Sequence, residues 1–109
     1  MTQAYVMAIL AAAGLAAACG GAPRPNPNNQ LVEAQAALRA ADELGADEVP
    51  QAELHTKLAE EQIELAEKSM EDGENERASR LLARARADAE LAVALAKRAD
   101  VSKEVRGTP

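Results

Sequence analysis

The chain contains one histidine, His55, a residue type that often serves as a general base or a metal ligand near neutral pH. A metal pair on a helix needs a second ligand one turn away. The neighbours at that spacing are Gln51 and Ala59, and neither of them is an acid. We therefore expect His55 to lie at a surface or a core boundary, outside any metal or catalytic site.

Four acidic residues lie close together in the middle of the chain: Glu60, Glu61, Glu64 and Glu67. Carboxylates at this density could hold a divalent cation loosely. A calcium loop, however, also needs a glycine-bearing turn among its ligands, and this run has none. The sequence predicts a solvated helix face here, and we expect no metal or other cofactor.

Three arginines, Arg77, Arg80 and Arg84, recur at helical spacing and share one face. Such a face could meet the phosphate groups of a lipid or a carboxylate-bearing polymer. The alternative is pairing within the helix, because Glu76 lies four residues before Arg80 and Asp88 four residues after Arg84. The sequence has no phosphate loop, catalytic triad or metal signature, and we predict that the protein is not an enzyme.

The only cysteine, Cys19, follows three alanines and precedes two glycines. The apolar segment before it, residues 4–18, is shorter than the roughly 20 residues that span a bilayer and is typical of a secretory signal peptide. The junction resembles the lipobox of bacterial lipoproteins. In the lipobox, however, the leucine usually lies three residues before the cysteine, whereas Leu15 lies four residues before Cys19. We expect residues 1–18 to be a signal peptide and Cys19 to be lipidated, carrying palmitate. The alternative is a plain secretory signal or an uncleaved membrane anchor.

Residues 19–29 form the predicted linker, in which Pro23, Pro25 and Pro27 alternate with polar residues. Such a segment favours extended polyproline II and makes a spacer of about 30 Å. Gly20 after the cysteine favours the outer membrane over the inner one, so we expect a lipid-anchored, periplasm-facing protein of the bacterial cell envelope. The net charge of −6 argues against binding to nucleic acid.

Apolar residues recur at helical spacing from residue 30 onward, where glycines and one proline divide the chain. The sequence predicts helices over residues 30–44, 50–71 and 75–103. Asn28 or Asn29 is expected to cap the first helix. The predicted fold is all-α, a small antiparallel three-helix bundle or helical hairpin over residues 30–106, followed by a short tail at 107–109.

The expected core is aliphatic because the single tyrosine, Tyr5, lies in the predicted signal peptide. In the first helix the expected stripe is Leu31, Ala34, Leu38 and Ala41, widened by Ala37 and Leu44. In the second helix two rows are expected: Leu54, Leu58 and Leu65, and beside them Ala59, Ile63, Ala66 and Met70. In the third helix the expected face is Leu81, Leu82, Ala85, Ala89, Ala92, Ala96 and Ala99, with Leu91, Val93 and Leu95 adding bulk.

Several short segments carry a resemblance to a known family. They are Leu44-Gly45-Ala46, the segment 49–54 around Pro50, the segment 72–78 around Gly73, and the segment 86–92. Residues 31–99 resemble an alanine-rich helical domain of bacterial lipoproteins that is catalogued only as a domain of unknown function. The resemblance implies a helical domain but no activity, and members sometimes carry an OmpA-like domain downstream. This sequence ends at Pro109, so we expect no such domain in it.

These features predict a non-catalytic structural or protein-interaction module, held at the membrane by its lipid anchor. The alternative is a carrier that binds an apolar ligand, such as a lipid tail, between its helices. The third helix is the longest, so part of 91–101 is expected to be thinly covered. The predicted interaction face comprises Leu91, Leu95, Arg77, Arg80 and Arg84, and its partner is a second copy or another helical envelope protein.

Overall fold

A computed structural model describes residues 26–107 of the chain. Its elements are helix α1 at Asn28–Glu43, a short 3-10 helix at Ala46–Glu48, helix α2 at Pro50–Glu71 and helix α3 at Asn75–Gly107. No strand occurs in the described part, which confirms the predicted all-α fold. The signal peptide, Cys19 and most of the linker predicted from the sequence lie outside the described residues.

Helix α1 begins at Asn28, one of the two residues that were expected to cap it. Asn28 is already helical, Pro27 precedes it, and no side chain caps the first turn. The N–H of Leu31 donates to the carbonyl oxygen of Pro27 at 3.0 Å. The prediction of an asparagine cap is therefore wrong, because the backbone of Pro27 already accepts the first helical hydrogen bond.

Glycines end the first two helices, as the sequence predicted. Gly45 and Gly73 have φ angles of 72° and 75°, in the left-handed region that favours glycine. After α2, the N–H of Glu74 donates to the carbonyl oxygen of Ser69 at 2.8 Å, and the N–H of Gly73 donates to that of Met70 at 3.1 Å. This pair of bonds is a Schellman motif, which stops α2 and turns the chain back into α3.

Helices α2 and α3 form an antiparallel hairpin, and α1 packs along one side of it. Ala34 near the start of α1 shares a core cluster with Leu82, and Ala41 shares another with Ala92. Helix α1 therefore runs parallel to α3. We call the end of the bundle that holds the Gly73 connection the turn end, and the opposite end the far end.

The core is built almost entirely from alanine. Of the thirteen buried apolar residues within 26–107, eleven are alanines, and Ile63 and Leu82 are the other two. Alanine side chains let the helix backbones approach closely, but each of them removes little apolar area from water. The faces predicted for α1 and α3 are confirmed by Ala34 and Ala41 in α1 and by four alanines and Leu82 in α3, all of which are buried. The four alanines of α3 are Ala85, Ala89, Ala92 and Ala96.

Four leucines that were expected in the core lie on the surface. Leu44, directly after α1, is 36% exposed, and Leu54, Leu65 and Leu91 are 57%, 46% and 43% exposed. The adjacent row of α2, which includes Ala59 and Ile63, faces the core. The leucine row lies further around the helix because the small side chains occupy the positions where the helices approach most closely. The predicted packing of these leucines is wrong, and it overlooked this competition between two neighbouring rows.

Candidate interaction face

The exposed leucines of α2 and α3 lie on the side of the hairpin away from α1. Helix α1 contacts α2 through Gln35, whose Nε2 lies 3.4 Å from Oε1 of Glu67, and contacts α3 through Glu33 and Arg86, 2.6 Å apart. At 100° per residue, the leucines of both helices fall on the opposite flank. We call this surface the leucine face. Its members are Leu54, Leu58 and Leu65 of α2 and Leu91 and Leu95 of α3.

Burial is graded across the leucine face. Leu54, Leu65 and Leu91 are exposed, whereas Leu58 and Leu95 are partly buried at the junction of the two helices. Leu95 packs against the core cluster at the far end. The leucine face is therefore a shallow apolar surface along both helices, and Leu91 is better placed than Leu95 to meet a partner.

A half-buried polar cluster lies between the two rows of leucines. The Nδ1 of His55 and the Oδ1 of Asp88 are 2.9 Å apart, and the Nε2 of Gln62 donates to the Oδ2 of Asp88 at 3.0 Å. These contacts cross from α2 to α3. They give His55 an acidic partner outside its own helix, because Asp88 is 33 residues further along the chain.

The arginine face is paired in part, as the sequence predicted. Arg80 pairs with Glu76 at 3.0 Å, and Arg77 pairs with Glu74 at 3.3 Å. The predicted pair of Arg84 with Asp88 is wrong, because Asp88 points towards α2 and binds His55 and Gln62 instead. Arg84 has no ion pair within residues 26–107.

The three arginines and Leu81 line a shallow surface groove of about 170 Å³ at the turn end. The structure thus brings Arg77, Arg80 and Arg84 together. It separates Arg77 from Leu91 by about four helical turns and from Leu95 by about five. The predicted interaction face therefore divides into an arginine groove and a leucine surface.

The far end of α3 continues beyond its neighbours. The helix stays regular to Gly107, and Val101 and Val105 are both exposed. A surface groove of about 460 Å³ lies beside it, and its lining residues include Val49, Leu95 and Arg98. The expected thin cover over the end of α3 is confirmed, and it extends past Val101.

Ion pairs on the outer surface connect or stiffen the helices. Arg86 bridges Glu33 of α1 and Glu90 of its own helix, at 2.6 and 2.9 Å. The hydrogen bond to Glu90, followed by the charge of Glu33, raises the pKa of the Arg86 guanidinium. On α2, the hydrogen bond from Lys57 to Glu53 and the charge of Glu53 raise the pKa of Lys57. Of these contacts, the bridge from Arg86 to Glu33 joins α1 to the hairpin, on the side opposite the leucine face.

The acidic run of α2 is exposed, as predicted, and faces α1 in part. Glu60 and Glu64 line a surface groove of about 320 Å³ together with Leu38 and Arg39. Over residues 26–107, no group of three or more histidine, cysteine, aspartate or glutamate residues is arranged to hold a metal ion. None of the helices in that range has the length and apolar character needed to cross a membrane.

Comparison with known proteins identifies a family. No curated protein and no solved structure matches the chain. The model of the family described as "Domain of unknown function (DUF4398)" matches residues 29–108, which cover the three helices except for Asn28 at the start of α1. The match confirms the resemblance to a family catalogued as a domain of unknown function. The chain belongs to the DUF4398 family.

Proposed function

We propose that this protein is a lipid-anchored lipoprotein of the bacterial cell envelope that acts without catalysis, by holding a helical protein partner. The observation that carries the proposal is the placement of the apolar residues. The core is alanine, whereas Leu54, Leu65 and Leu91 are exposed on one face. An apolar surface of this kind on a small domain usually marks a contact site.

Energetics favour contact with another helix. Fully burying one leucine side chain stabilises a structure by about 1.5–3 kcal/mol relative to leaving it in water. Leu54, Leu65 and Leu91 are exposed, so their burial contributes little to the stability of the fold. A partner that covers them would add this stabilisation to the free energy of binding. Carriage of an apolar ligand between the helices stays a prediction, and the alanines that pack at the helix contacts, such as Ala59 and Ala89, favour binding at the surface.

The proposed anchor follows from the sequence that precedes α1. Helix α1 starts at Asn28, nine residues after Cys19. A lipidated Cys19 would therefore place the turn end of the bundle nearest the membrane, and α3 would extend away from it. Mass spectrometry of the native protein is expected to show a diacylglyceryl-modified cysteine as the first residue. A mature protein that keeps residues 1–18, or starts beyond Cys19, contradicts the anchor.

The partner is tested by cross-linking in intact envelopes followed by purification of the protein. We expect cross-linked protein in the wild type and at least a tenfold loss with Leu91→Asp, because a charge on the leucine face prevents its burial. Val32→Asp is the matched control, since Val32 is 63% exposed on α1, outside the leucine face. Equal cross-linking by both variants contradicts the proposal. Cys19→Ala tests separately whether the anchor is needed.

A further inference from the structure

The leucine face has a charge arrangement that suits one particular partner. Segment 50–72, which contains α2, has seven acidic and two basic residues, whereas segment 75–106 of α3 has eight basic and five acidic residues. Most acids of α2 lie on its outer and α1 sides, but Glu61 lies beside the leucines of α2, and Arg84 lies beside those of α3. A surface of this kind is complementary to a copy of itself that is turned so that α2 lies on α3.

We propose that two copies of the chain pair through the leucine face, with the two-fold axis parallel to the helices. In this arrangement α2 of each copy lies on α3 of the other. The leucines of both copies form a shared apolar layer, and four helices surround it. The other way to pair the same face has its axis across the helices and places α3 on α3 and α2 on α2, so that Glu61 of one copy no longer faces Arg84 of the other.

Contacts across the hairpin fix which residues would face each other. His55 and Gln62 both reach Asp88, so the middle of α2 between them lies level with Asp88. Because α2 and α3 are antiparallel, Glu61 then lies within the same helical turn as Arg84. A two-fold axis along the helices keeps every residue at its own level. Glu61 of each copy consequently faces Arg84 of the other.

Both of these residues are available for such a pair. Glu61 and Arg84 are exposed, and neither has a hydrogen bond or an ion pair within the described residues 26–107. Each points to the same side of its helix as the leucines: Glu61 lies four residues before Leu65, and Arg84 lies seven residues before Leu91. The dimer would contain this pair twice, once on each side of its axis.

If Cys19 is lipidated as proposed, the position of the N-terminal segment also favours the dimer whose two-fold axis is parallel to the helices. Helix α1 lies on the side away from the leucine face, so pairing does not displace it. With the axis along the helices, both copies of α1 begin at the same end of the dimer. Two lipidated cysteines could then insert into one membrane, whereas the arrangement with α3 on α3 would direct them to opposite ends.

Charge reversal in the full chain, purified in detergent, tests the pairing. We expect Glu61→Arg and Arg84→Glu each to weaken dimerisation about tenfold, as measured by sedimentation equilibrium, because each brings two pairs of like charges together. The double variant Glu61→Arg/Arg84→Glu is expected to restore the wild-type dimer. Glu43→Arg, on the exposed surface of α1, is the matched control and should leave dimerisation unchanged. Circular dichroism checks that helix content is preserved.

The remaining outcomes overturn the proposal. A monomeric wild type excludes self-pairing, and so does a cross-linked partner that differs from the chain itself. Single variants that weaken the dimer without rescue in the double variant exclude this orientation. These results leave the proposed function standing if Cys19 is lipidated and Leu91→Asp still reduces cross-linking in envelopes. Different results would contradict the proposed function: an unlipidated Cys19, or equal cross-linking of the Leu91→Asp and Val32→Asp variants.

Discussion

The two ends of the bundle are packed with different side chains. At the turn end, the buried cluster contains Ile63 and Leu82 among its alanines, and Leu31, Leu38 and Met70 pack against it. At the far end, every buried residue of the cluster is alanine. Larger side chains reach this second cluster only from its partly buried edge, where Val49, Val93 and Leu95 lie.

This difference shows where the stability of the fold resides. Buried area scales with side-chain size, so the turn end removes more apolar surface from water than the far end does. The turn end also has the Schellman motif that connects α2 to α3. We therefore expect the turn end to hold the helices together, and the far end, with its uncovered stretch of α3, to open first in local fluctuations.

The largest expected effect comes from removing Leu82, the one large side chain that is fully buried in the described part of the chain. Leu82→Ala should lower the free energy of unfolding by about 2–5 kcal/mol, because it leaves a cavity that rigid helices cannot fill. Leu95→Ala at the far end is the matched change and should cost only about 1 kcal/mol, since Leu95 is partly exposed. Chemical denaturation of both variants measures the difference, and equal losses would refute the contrast between the ends.

A smaller effect is expected when an alanine contact is widened. Ala85→Leu should cost about 1–3 kcal/mol, because Ala85 is 0% exposed and the added atoms would push the helices apart. Ala87→Leu, two residues away on the exposed side of α3, adds the same atoms and should leave stability nearly unchanged. Thermal melting of the two variants compares them. Similar melting temperatures would mean that the helices are loosely packed at the buried alanines.

The smallest expected effect concerns the connection at the turn end. Gly73→Ala should cost about 1 kcal/mol, because an L-residue at a φ of 75° is strained even though its Cβ would meet no atom within 4 Å. Gly107→Ala removes a glycine that lies in helix α3 without a positive φ, and should not destabilise the protein. A loss of stability from both changes alike would show that the backbone conformation is not the cause.

Much of the fold could be predicted from sequence periodicity. The glycines at 45 and 73 and the proline at 50 marked the ends of the helices, since their backbone preferences act locally. The alanine positions of α3 were also correct. The leucine row of α2 was wrong, because hydrophobicity alone assigns leucine to the core, whereas close helix contacts select the smaller residue at each level.

The contacts of the candidate face could be predicted only in part. Glu76 and Arg80 are four residues apart on one helix, so their pairing follows from the sequence. The contact of Asp88 with His55 depends on how far α3 is shifted along α2, and that shift is set by the alanine packing of the whole interface. Local spacing favoured Arg84 as the partner of Asp88, and tertiary packing overrode it.

The parallel course of α1 and α3 has a mechanical consequence. The described chain enters the bundle at the turn end, near Pro27, and leaves it at the tip of α3, roughly 50 Å away for a helix of 33 residues. Tension applied between these points would act along the helix axes. It would slide α1 and α3 past each other, loading all their contacts together, including the bridge from Arg86 to Glu33. Tension on the chain would therefore shear the helices against each other, and it would not separate them turn by turn from one end.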